Sequence, residues 1–371
     1  MKFKCNQQSL TKALNIVSKA VTARTTIPIL KGILIEASDN GKLKMSASDL
    51  DITIENSIDA EVSEPGSLVV PSKLFGDIIR KLPNEMVIIE SEDTNVVIRC
   101  RNSEFTIVGF SSDEFPTINN IEDESEKITF DKNILKSMIS RTSFAASIDE
   151  SKGVITGILI EMTSDQLNLV AIDGYRMAIT RENMINRSEK KVIISARIMN
   201  EISKILGESD ESVENIDFFI SEKKAILTID NIKIVLRLID GEFIKYRDIV
   251  PKESKIKVTV NRNDLMESIE RASLLSKEGK NNLIKFSITD NLITITSKSE
   301  EGYVREDVIV NKEGEDLEIG FNAKYVLDVL KAIDDEMMVM LFNTGISPCL
   351  VEPEEGNKFE YLILPVRITN N

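Results

Sequence analysis

Apolar residues near the start of the chain follow two alternating spacings, one typical of helices and one typical of strands. After a short strand over residues 1–5, Ser9 is expected to cap a helix whose buried face comprises Leu10, Ala13, Leu14 and Val17. Strand-like alternation then follows on both sides of Asn40-Gly41, a dipeptide that favours a hairpin turn. Residues 1–60 therefore predict a strand, a helix and several further strands.

Residues 61–120 repeat this order of elements. A strand at Leu68-Val69-Val70 leads into a helix that begins at Pro71 and Ser72, and three strand-like runs follow. The expected apolar face of this helix comprises Leu74, Ile78, Ile79 and Leu82. Two βαβββ-like halves, with helices packed on one face of antiparallel sheets, predict an α+β fold.

An internal repeat covers the whole chain. The pentapeptide Gly-Ile-Leu-Ile-Glu occurs at residues 32–36 and again at 157–161, which places the two copies 125 residues apart. A third, more divergent copy has Asn282-Leu283-Ile284-Lys285-Phe286 at the same spacing. Basic residues also occupy like positions in the three copies, at Lys73, Arg197 and Lys324.

The repeats predict three domains of one type, at residues 1–122, 127–250 and 254–371. Their boundaries are expected in two connectors, 119–127 and 249–255, where the apolar periodicity lapses. Three such domains suit a chain of 371 residues, whereas solenoid repeats, at about 20 to 45 residues, are much shorter.

Composition removes several classes of function. The chain has no histidine, and with it lacks the usual general base near neutral pH and the commonest transition-metal ligand. Its three cysteines are widely spread, so each is interpreted as a buried apolar side chain rather than part of a disulfide or zinc site. No phosphate-binding glycine loop is present, and we expect no cofactor or metal. The absence of a signal-like or membrane-spanning segment indicates a cytoplasmic protein without membrane partners.

Charge is distributed unevenly between the predicted helices and the rest of the chain. The net charge is −15, yet the six predicted helices together carry +9, which leaves −24 for the rest of the chain. If the helices share one surface, that surface is basic on an acidic body and would attract phosphate without reading bases. The alternative is that these are ordinary solvated helix faces, which often carry lysine.

Several ordered motifs resemble those of the bacterial sliding clamps, the beta subunits of DNA polymerase III, over essentially the whole chain. The matching stretches are Met1-Lys2-Phe3, Arg24 with Pro28-Ile29-Leu30, Asp173-Gly174-Tyr175-Arg176, Leu238 to Phe243 with Tyr246-Arg247, Tyr325 to Leu330, and Leu364-Pro365-Val366-Arg367. Each motif alone is weak, but their order and spacing on a triplicated chain are specific.

The resemblance implies three clamp domains in a head-to-tail homodimer that closes a ring, with helices around the central hole and antiparallel sheets outside. It implies a non-catalytic DNA polymerase processivity factor that encircles double-stranded DNA without sequence specificity. The expected partners are the replicative DNA polymerase alpha subunit, the clamp loader, and other DNA polymerases and repair proteins with short clamp-binding motifs. The alternatives are a peptide-binding scaffold that does not encircle DNA and a histidine-free enzyme that uses acids such as Asp173.

The resemblance also implies a peptide-binding groove beside the second domain. By matched position the groove comprises Ile155, Ile172, Gly174, Tyr175, Arg176, Met177, Ile244, Ile249, Pro348, Leu362, Leu364, Pro365, Val366 and Arg367. Aliphatic walls would take apolar anchors, and the two arginines would hold a peptide carbonyl or carboxylate. Ile244 replaces a proline of many relatives, Tyr175 replaces a common histidine, and Thr369-Asn370-Asn371 extends past the usual end. The alternative for Leu362 to Val366 is a buried edge strand.

Two further sets of residues come from the resemblance. The expected DNA contacts are Arg24, Lys73, Arg197 and Arg247. At the seam of the ring, Phe105 and Ile107 are expected to face Leu274 and Leu275 of a second copy. The alternative for this apolar seam set is the core of its own domain.

Overall fold

The computed structural model describes residues 1–22, 25–116, 126–185, 189–277 and 282–368. Its contacts divide the chain into two compact units, Met1–Asn133 with Lys204–Leu238, and Ile134–Ser203 with Ile239–Asn371. Each unit contains a sheet to which two of the sequence repeats contribute strands, so the units differ from the three predicted domains. The domain boundaries therefore stay a prediction.

Each repeat forms two halves in which a strand and a helix precede three strands, and one further short strand lies between the halves in the first and third repeats. The first repeat comprises β1 (Lys2–Asn6), α1 (Gln7–Val17), β2 (Gly32–Ser38), β3 (Lys42–Ser48), β4 (Ile52–Asp59), β5 (Glu61–Glu64), β6 (Gly66–Pro71), α2 (Ser72–Lys81), β7 (Met86–Glu92), β8 (Asn95–Cys100) and β9 (Ser103–Val108). The second comprises β10 (Glu126–Asp131), α3 (Lys132–Thr142), β11 (Gly157–Met162), β12 (Gln166–Ile172), β13 (Arg176–Asn183), β14 (Lys190–Ser195), α4 (Ala196–Glu208), β15 (Asn215–Ile220), β16 (Lys224–Ile229) and β17 (Ile232–Arg237).

The third repeat has the same order. It comprises β18 (Ile256–Asn261), α5 (Arg262–Ser276), β19 (Leu283–Thr289), β20 (Leu292–Ser299), β21 (Gly302–Ile309), β22 (Asn311–Glu313), β23 (Leu317–Asn322), α6 (Ala323–Ala332), β24 (Met337–Phe342), β25 (Cys349–Pro353) and β26 (Phe359–Ile363). The predicted α+β class and the repeated order of helices and strands are confirmed.

Four helices begin directly after an asparagine or aspartate that ends the preceding strand. The side chains of Asn6 and Asn261 each accept hydrogen bonds from two backbone N–H groups of the first turn, at α1 and α5. Asp131 accepts one from Asn133 N–H at α3, and Asn322 accepts one from Lys324 N–H at α6. The prediction that Ser9 caps α1 was therefore wrong. The cap lies three residues earlier because Asn6 both completes the strand and satisfies the open N–H groups.

The helical apolar faces follow the expected period with one correction. Leu10, Ala13, Leu14 and Val17 of α1 are all buried, as predicted. In α2, Leu74 is exposed and Phe75 is buried in its place. Phe75 lies three residues before Ile78, four before Ile79 and seven before Leu82, so it completes the helical stripe that Leu74 was expected to begin.

The first unit contains two antiparallel sheets. One has the strand order β5-β1-β7-β8-β9. The other has the order β10-β15-β16-β17-β4-β3-β2-β6, in which β17 of the second repeat pairs with β4 of the first. Helix α1 packs on β3, β4 and α2, so the helices cover one face of these sheets.

The second unit also contains two antiparallel sheets. The larger has the order β14-β11-β12-β13-β26-β25-β24-β18-β22, in which β13 of the second repeat pairs with β26 of the third. The smaller has the order β21-β20-β19-β23, and α5 packs against it beside α6. The pairing of β13 with β26 brings two distant parts of the chain together.

The duplicated pentapeptide forms equivalent strands in both copies. Gly32 starts β2 and Gly157 starts β11. In each case the glycine pairs with the last residue of the neighbouring strand that leads into the second helix of the repeat. A Cβ on Gly32 would lie 2.3 Å from a methyl of Val69, and one on Gly157 would lie 2.5 Å from a methyl of Ile193. Both copies therefore need glycine for the same steric reason.

Replacing Gly32 with Ala should destabilise the chain by about 1 to 3 kcal/mol, because the new methyl overpacks the contact with Val69. Urea unfolding followed by circular dichroism measures the change. Gly76→Ala is the matched control, since Gly76 lies inside α2 and its Cβ would meet only the flexible end of Arg80. The control should be neutral or slightly stabilising, and equal loss in both variants would contradict the steric explanation.

Candidate functional site

The strand register of the larger sheet in the second unit aligns a row of apolar side chains. Ile172 pairs with Met177, Met177 with Leu362, and Leu362 with Leu350, across β12, β13, β26 and β25. A parallel row on the same face comprises Ile193, Leu159, Val170 and Ile179. All eight are buried in one apolar cluster, which forms the floor of the candidate site.

Partly buried apolar residues surround this floor. Val154 and Ile155 come from the turn before β11, and Leu364 comes from the segment after β26. Ile239, Phe243 and Val250 belong to the connector after β17. The result is an aliphatic floor with half-exposed walls, which we call the groove; such a surface can take apolar side chains of a ligand.

The structure brings together five of the fourteen predicted groove residues in this cluster: Ile155, Ile172, Met177, Leu362 and Leu364. The others lie on the segments that border it, with Ile244 and Ile249 exposed on the connector and Pro348 half-buried just before β25. The members of this cluster that were not predicted as groove residues are Val154, Leu159, Val170, Ile179, Ile193, Ile239, Phe243, Tyr246, Val250, Leu341 and Leu350. Alternation with Ile172 could have indicated Val170, but no local signal marks the connector residues.

The turn between β12 and β13 presents Tyr175 at the edge of the groove. Asp173 accepts hydrogen bonds from the backbone N–H groups of Tyr175 and Arg176, at 2.8 and 3.1 Å, and Gly174 has a φ of +94°. Positive φ favours glycine at this position. The Tyr175 ring stacks on Tyr325 of α6, with centroids 5.8 Å apart. The outer part of Tyr175 stays exposed.

Arg176, which was predicted to hold a peptide carbonyl or carboxylate, is already bonded within the protein. It is only 7% exposed; its Nε donates to Asp173 at 3.0 Å and its Nη1 donates to Asp328 of α6 at 2.5 Å. Its guanidinium also lies 4.7 Å from the centre of the Tyr325 ring. Arg176 therefore holds the turn and α6 together, whereas a peptide ligand would need an exposed donor. Arg367, in contrast, is exposed.

The segment after β26, residues 364–368, borders the groove outside any strand. Leu364 N–H donates to the Tyr175 carbonyl at 2.9 Å, and Val366 N–H donates to the Gly320 carbonyl at 2.8 Å. Leu362 and Ile363 are buried in β26, which is an interior strand of the sheet and not an edge strand, whereas Leu364, Pro365 and Val366 are half-buried outside any strand. The extension Thr369-Asn370-Asn371 lies outside the described residues.

A buried carboxylate anchors the connector. Glu161 of β11 is 1% exposed and accepts hydrogen bonds from Tyr246 Oη at 2.6 Å, Arg247 Nη2 at 2.5 Å and Lys191 Nζ at 2.9 Å. Burial acts to raise the pKa of Glu161, but the hydrogen bonds from Arg247, Tyr246 and Lys191 outweigh it and lower the pKa to about 2. Glu161 is thus ionised at neutral pH.

The predicted DNA contacts fall into two groups. Lys73 and Arg197 are each the second residue of a helix, α2 and α4 respectively, and both are exposed, as is Lys324 at the equivalent position of α6. Arg247 differs, because its guanidinium is bonded to Glu161 through both terminal nitrogens. Arg24 lies outside the described residues.

Part of the positive charge of the helices and the turns after them is already paired within the protein. Lys19 after α1 bonds to both oxygens of Glu208, Arg80 to Asp77, and Arg141 to Asp334. Lys132 is buried and donates to the Asp210 carbonyl. The formal sum over the helices therefore overstates the charge that phosphate would meet.

The predicted seam residues lie on one edge strand, β9, and on α5, the helix that packs against another edge strand, β21. In the described strands, β9 is the edge of the five-stranded sheet and β21 is the edge of the four-stranded sheet. Phe105 of β9 is 40% exposed, whereas Ile107 is 6% exposed and packs within its own unit. Leu274 of α5 is largely exposed and Leu275 is half-buried.

The described residues offer no disulfide, metal site or membrane-spanning helix. Cys5, Cys100 and Cys349 are buried and free, as predicted. No group of three or more His, Cys, Asp or Glu side chains in the described part of the chain is placed to hold a metal ion. None of the described helices is long and apolar enough to cross a membrane.

Known proteins match the chain over its full length. Family models of the N-terminal, central and C-terminal domains of the DNA polymerase III beta subunit match residues 1–119, 129–245 and 247–367. A beta sliding clamp of Staphylococcus epidermidis is 36% identical, over 99% of both chains. The DNA polymerase sliding clamp structure from Bacillus subtilis has a TM-score of 0.94 at 33% identity, over 100% of both chains. A Pseudomonas aeruginosa sliding clamp bound to griselimycin has a TM-score of 0.92 at 27% identity, over 99% of this chain and 100% of that one.

Replacing Glu161 with Gln should destabilise the chain at pH 7 by about 2 kcal/mol, because charge-assisted hydrogen bonds are lost. The folded pKa, about 2, lies below the ordinary value of 4.5. The contribution is therefore complete above about pH 4.5 and is lost as the pH falls toward 2. Urea unfolding of both proteins at several pH values measures this difference.

Glu36→Gln is the matched control for this prediction. Glu36 occupies the same place in the first copy of the pentapeptide, where its side chain is 34% exposed and pairs with Lys44. A surface pair of this kind contributes at most about 1 kcal/mol. A penalty for Glu161→Gln that stayed constant from pH 7 to pH 3 would contradict the assignment.

Proposed function

The chain belongs to the DNA polymerase III beta subunit family, the sliding clamps, and on that basis we propose that it is the processivity clamp of a bacterial replicative polymerase. The clamp encircles duplex DNA as a closed homodimer and tethers the polymerase through the groove. The polymerase supplies the catalysis, and the chain works in the cytoplasm, where bacterial DNA is replicated. The aligned apolar row from Ile172 to Leu350 is the observation that carries the proposal, because it provides a docking floor.

The groove takes short peptide segments with apolar anchors. Its floor is aliphatic, its walls are partly buried, and the donors Leu364 N–H and Val366 N–H are already used within the protein. Binding therefore rests on burial of the partly exposed apolar walls above the row, with the exposed faces of Tyr175 and Arg367 at the margin. The ligands are segments of the polymerase alpha subunit, the clamp loader, other polymerases and repair proteins.

Exposed lysines supply the contact with DNA. Lys73, Lys136 and Lys324 are exposed and have no ion-pair partner among the described residues. Arg197 is also exposed and has the same proposed role. A few unpaired ammonium groups attract phosphate without reading base edges. This contact suits a ring that is retained on DNA by its topology and moves along it. Arg247 is left out of this set, because Glu161 holds it.

The dimer forms by adding β9 of one copy to β21 of the other. Both strands are sheet edges in the described structure and both carry exposed apolar side chains, among them Phe105, Val108, Tyr303 and Ile309. Exposed edges of this kind favour pairing with another strand. Leu274 and Leu275 lie on α5, which packs against β21, and extend the apolar surface. Two such head-to-tail contacts close a ring of two copies.

A ring should remain on closed circular DNA and leave linear DNA through its ends. The chain is loaded onto nicked circular DNA with a bacterial clamp loader and ATP, free protein is removed by gel filtration in high salt, and the circle is then cut once. We expect retention before the cut and loss after it. Retention on the linear product would contradict encirclement.

The double variant Leu274→Ala with Leu275→Ala is the control for ring closure. It should sediment toward the monomer at dilute concentration and should not be retained even on the uncut circle. If the variant remains dimeric and retained, the proposed seam is wrong, although encirclement itself would stand.

Gly320→Ala should weaken ligand binding by about tenfold, a loss of roughly 1.4 kcal/mol. A Cβ on Gly320 would lie 2.8 Å from the Val366 carbonyl, so the segment that borders the groove must shift. Calorimetric titration with griselimycin, which the Pseudomonas aeruginosa relative binds, measures the affinity.

Removing residues 364–371 should abolish binding and leave the dimer intact. Gly76→Ala should bind as the unmodified chain does, and unchanged binding by Gly320→Ala would contradict the groove assignment.

A further inference from the structure

The two glutamates of the duplicated pentapeptide have different surroundings. Glu36 lies on β2, is partly exposed and pairs with Lys44 of the neighbouring strand. Glu161 lies at the same place on β11, is almost completely buried, and accepts hydrogen bonds from Lys191, Tyr246 and Arg247. Lys191 comes from the neighbouring strand β14, whereas Tyr246 and Arg247 come from the connector after β17, which covers Glu161.

The connector from Ile239 to Val250 has little regular structure of its own. Ile239 N–H donates to the Ile193 carbonyl at 2.8 Å where the connector leaves the sheet, and a single 3-10 turn follows at Tyr246–Asp248. The backbone hydrogen bonds of that turn are internal to the connector. Attachment of its middle to the sheet therefore depends strongly on side chains.

Tyr246 and Arg247 provide this attachment through one carboxylate. Tyr246 Oη lies 2.6 Å from Glu161 Oε2, and Arg247 reaches Oε1 at 3.1 Å and Oε2 at 2.5 Å. Tyr246 is buried and its ring belongs to the same apolar cluster as the groove floor. Charge-assisted hydrogen bonds and a two-pronged arginine contact fix geometry more tightly than neutral bonds do.

The residues next to this anchor form one wall of the groove. Phe243 and Val250 pack against the floor, and Ile244 and Ile249 are exposed beside them. A shift of the 3-10 turn would move all four, because none is more than three residues from Tyr246 or Arg247. The position of the wall therefore follows the position of the Glu161 carboxylate.

We propose that Glu161 is a positioning residue for the peptide groove and that it acts through Tyr246 and Arg247 without touching the ligand. This inference rests on the proposed function of the groove. It assigns Arg247 to the groove wall and separates it from the lysines that meet DNA. It also gives the last residue of the duplicated pentapeptide a task in the second repeat that its equivalent lacks in the first.

The test compares griselimycin binding by the unmodified full-length chain, Glu161→Gln and Glu36→Gln at pH 7. Glu161→Gln should bind about tenfold more weakly, and residues 239–250 should exchange amide hydrogens faster, as measured by mass spectrometry. Glu36→Gln should change neither quantity. Equal affinity of Glu161→Gln and the unmodified chain would overturn the inference.

Tyr246→Phe is the second test of the positioning role, and it is needed if Glu161→Gln destabilises the fold as a whole. It removes the 2.6 Å hydrogen bond and leaves Glu161 bonded to Arg247 and Lys191. We expect about threefold weaker binding with unchanged sedimentation as a dimer, and unchanged binding would overturn the inference. If the unmodified chain fails to bind griselimycin, the proposed groove function fails first. Binding by the unmodified chain with no effect of either variant defeats the positioning role alone.

Discussion

The register in which β13 pairs with β26 fixes the groove, because it decides which side chains of two remote segments share a face. Met177 and Leu362 are direct cross-strand partners, and Ile172 and Leu350 continue the row on either side. Side chains alternate between the faces of a sheet, so a slip of one residue would turn Leu362 away from Met177. The floor, the Tyr175 turn and the segment after β26 all depend on this one pairing.

A second constraint comes from charge that is removed from solvent. The buried Arg176 joins Asp173 and Asp328 beside Tyr325, and the buried Glu161 joins Tyr246 to the largely exposed side chains of Lys191 and Arg247. A buried ion is costly unless its partners satisfy it. Both groups therefore tolerate few alternative arrangements, and each holds an irregular segment at the margin of an otherwise apolar site. The groove combines an adaptable apolar surface with rigidly held edges.

The sequence predicted most of the fold because periodicity and duplication are local or repeated signals. The burial of Leu10, Ala13, Leu14 and Val17 follows from helical spacing, and the βαβββ-like order follows from alternation and the repeat. The prediction that Leu74 is buried was wrong, because two adjacent apolar residues, Leu74 and Phe75, fit the helix stripe almost equally well. The prediction that Ser9 caps the helix was also wrong. Asn6 is the last residue of a strand, and its side chain caps the helix that follows.

The site was less predictable, since its parts meet only in three dimensions. The resemblance supplied Ile172, Met177 and Leu362, but Phe243 and Val250 lie in a stretch without periodicity and were missed. The pairing state of a charge is also invisible in a sequence. Arg176 and Arg247 read as exposed donors, yet carboxylates far along the chain occupy both of them.

Glu36 and Glu161 show what a duplicated scaffold allows during divergence. The same strand position, with the same glycine constraint four residues earlier, carries a surface ion pair in one repeat and a buried anchor in another. Mutations around Glu161 can reshape the groove wall while the equivalent strand of the first repeat keeps its packing unchanged. Descendants of such a chain can therefore change the partners they favour without first giving up the architecture that holds them.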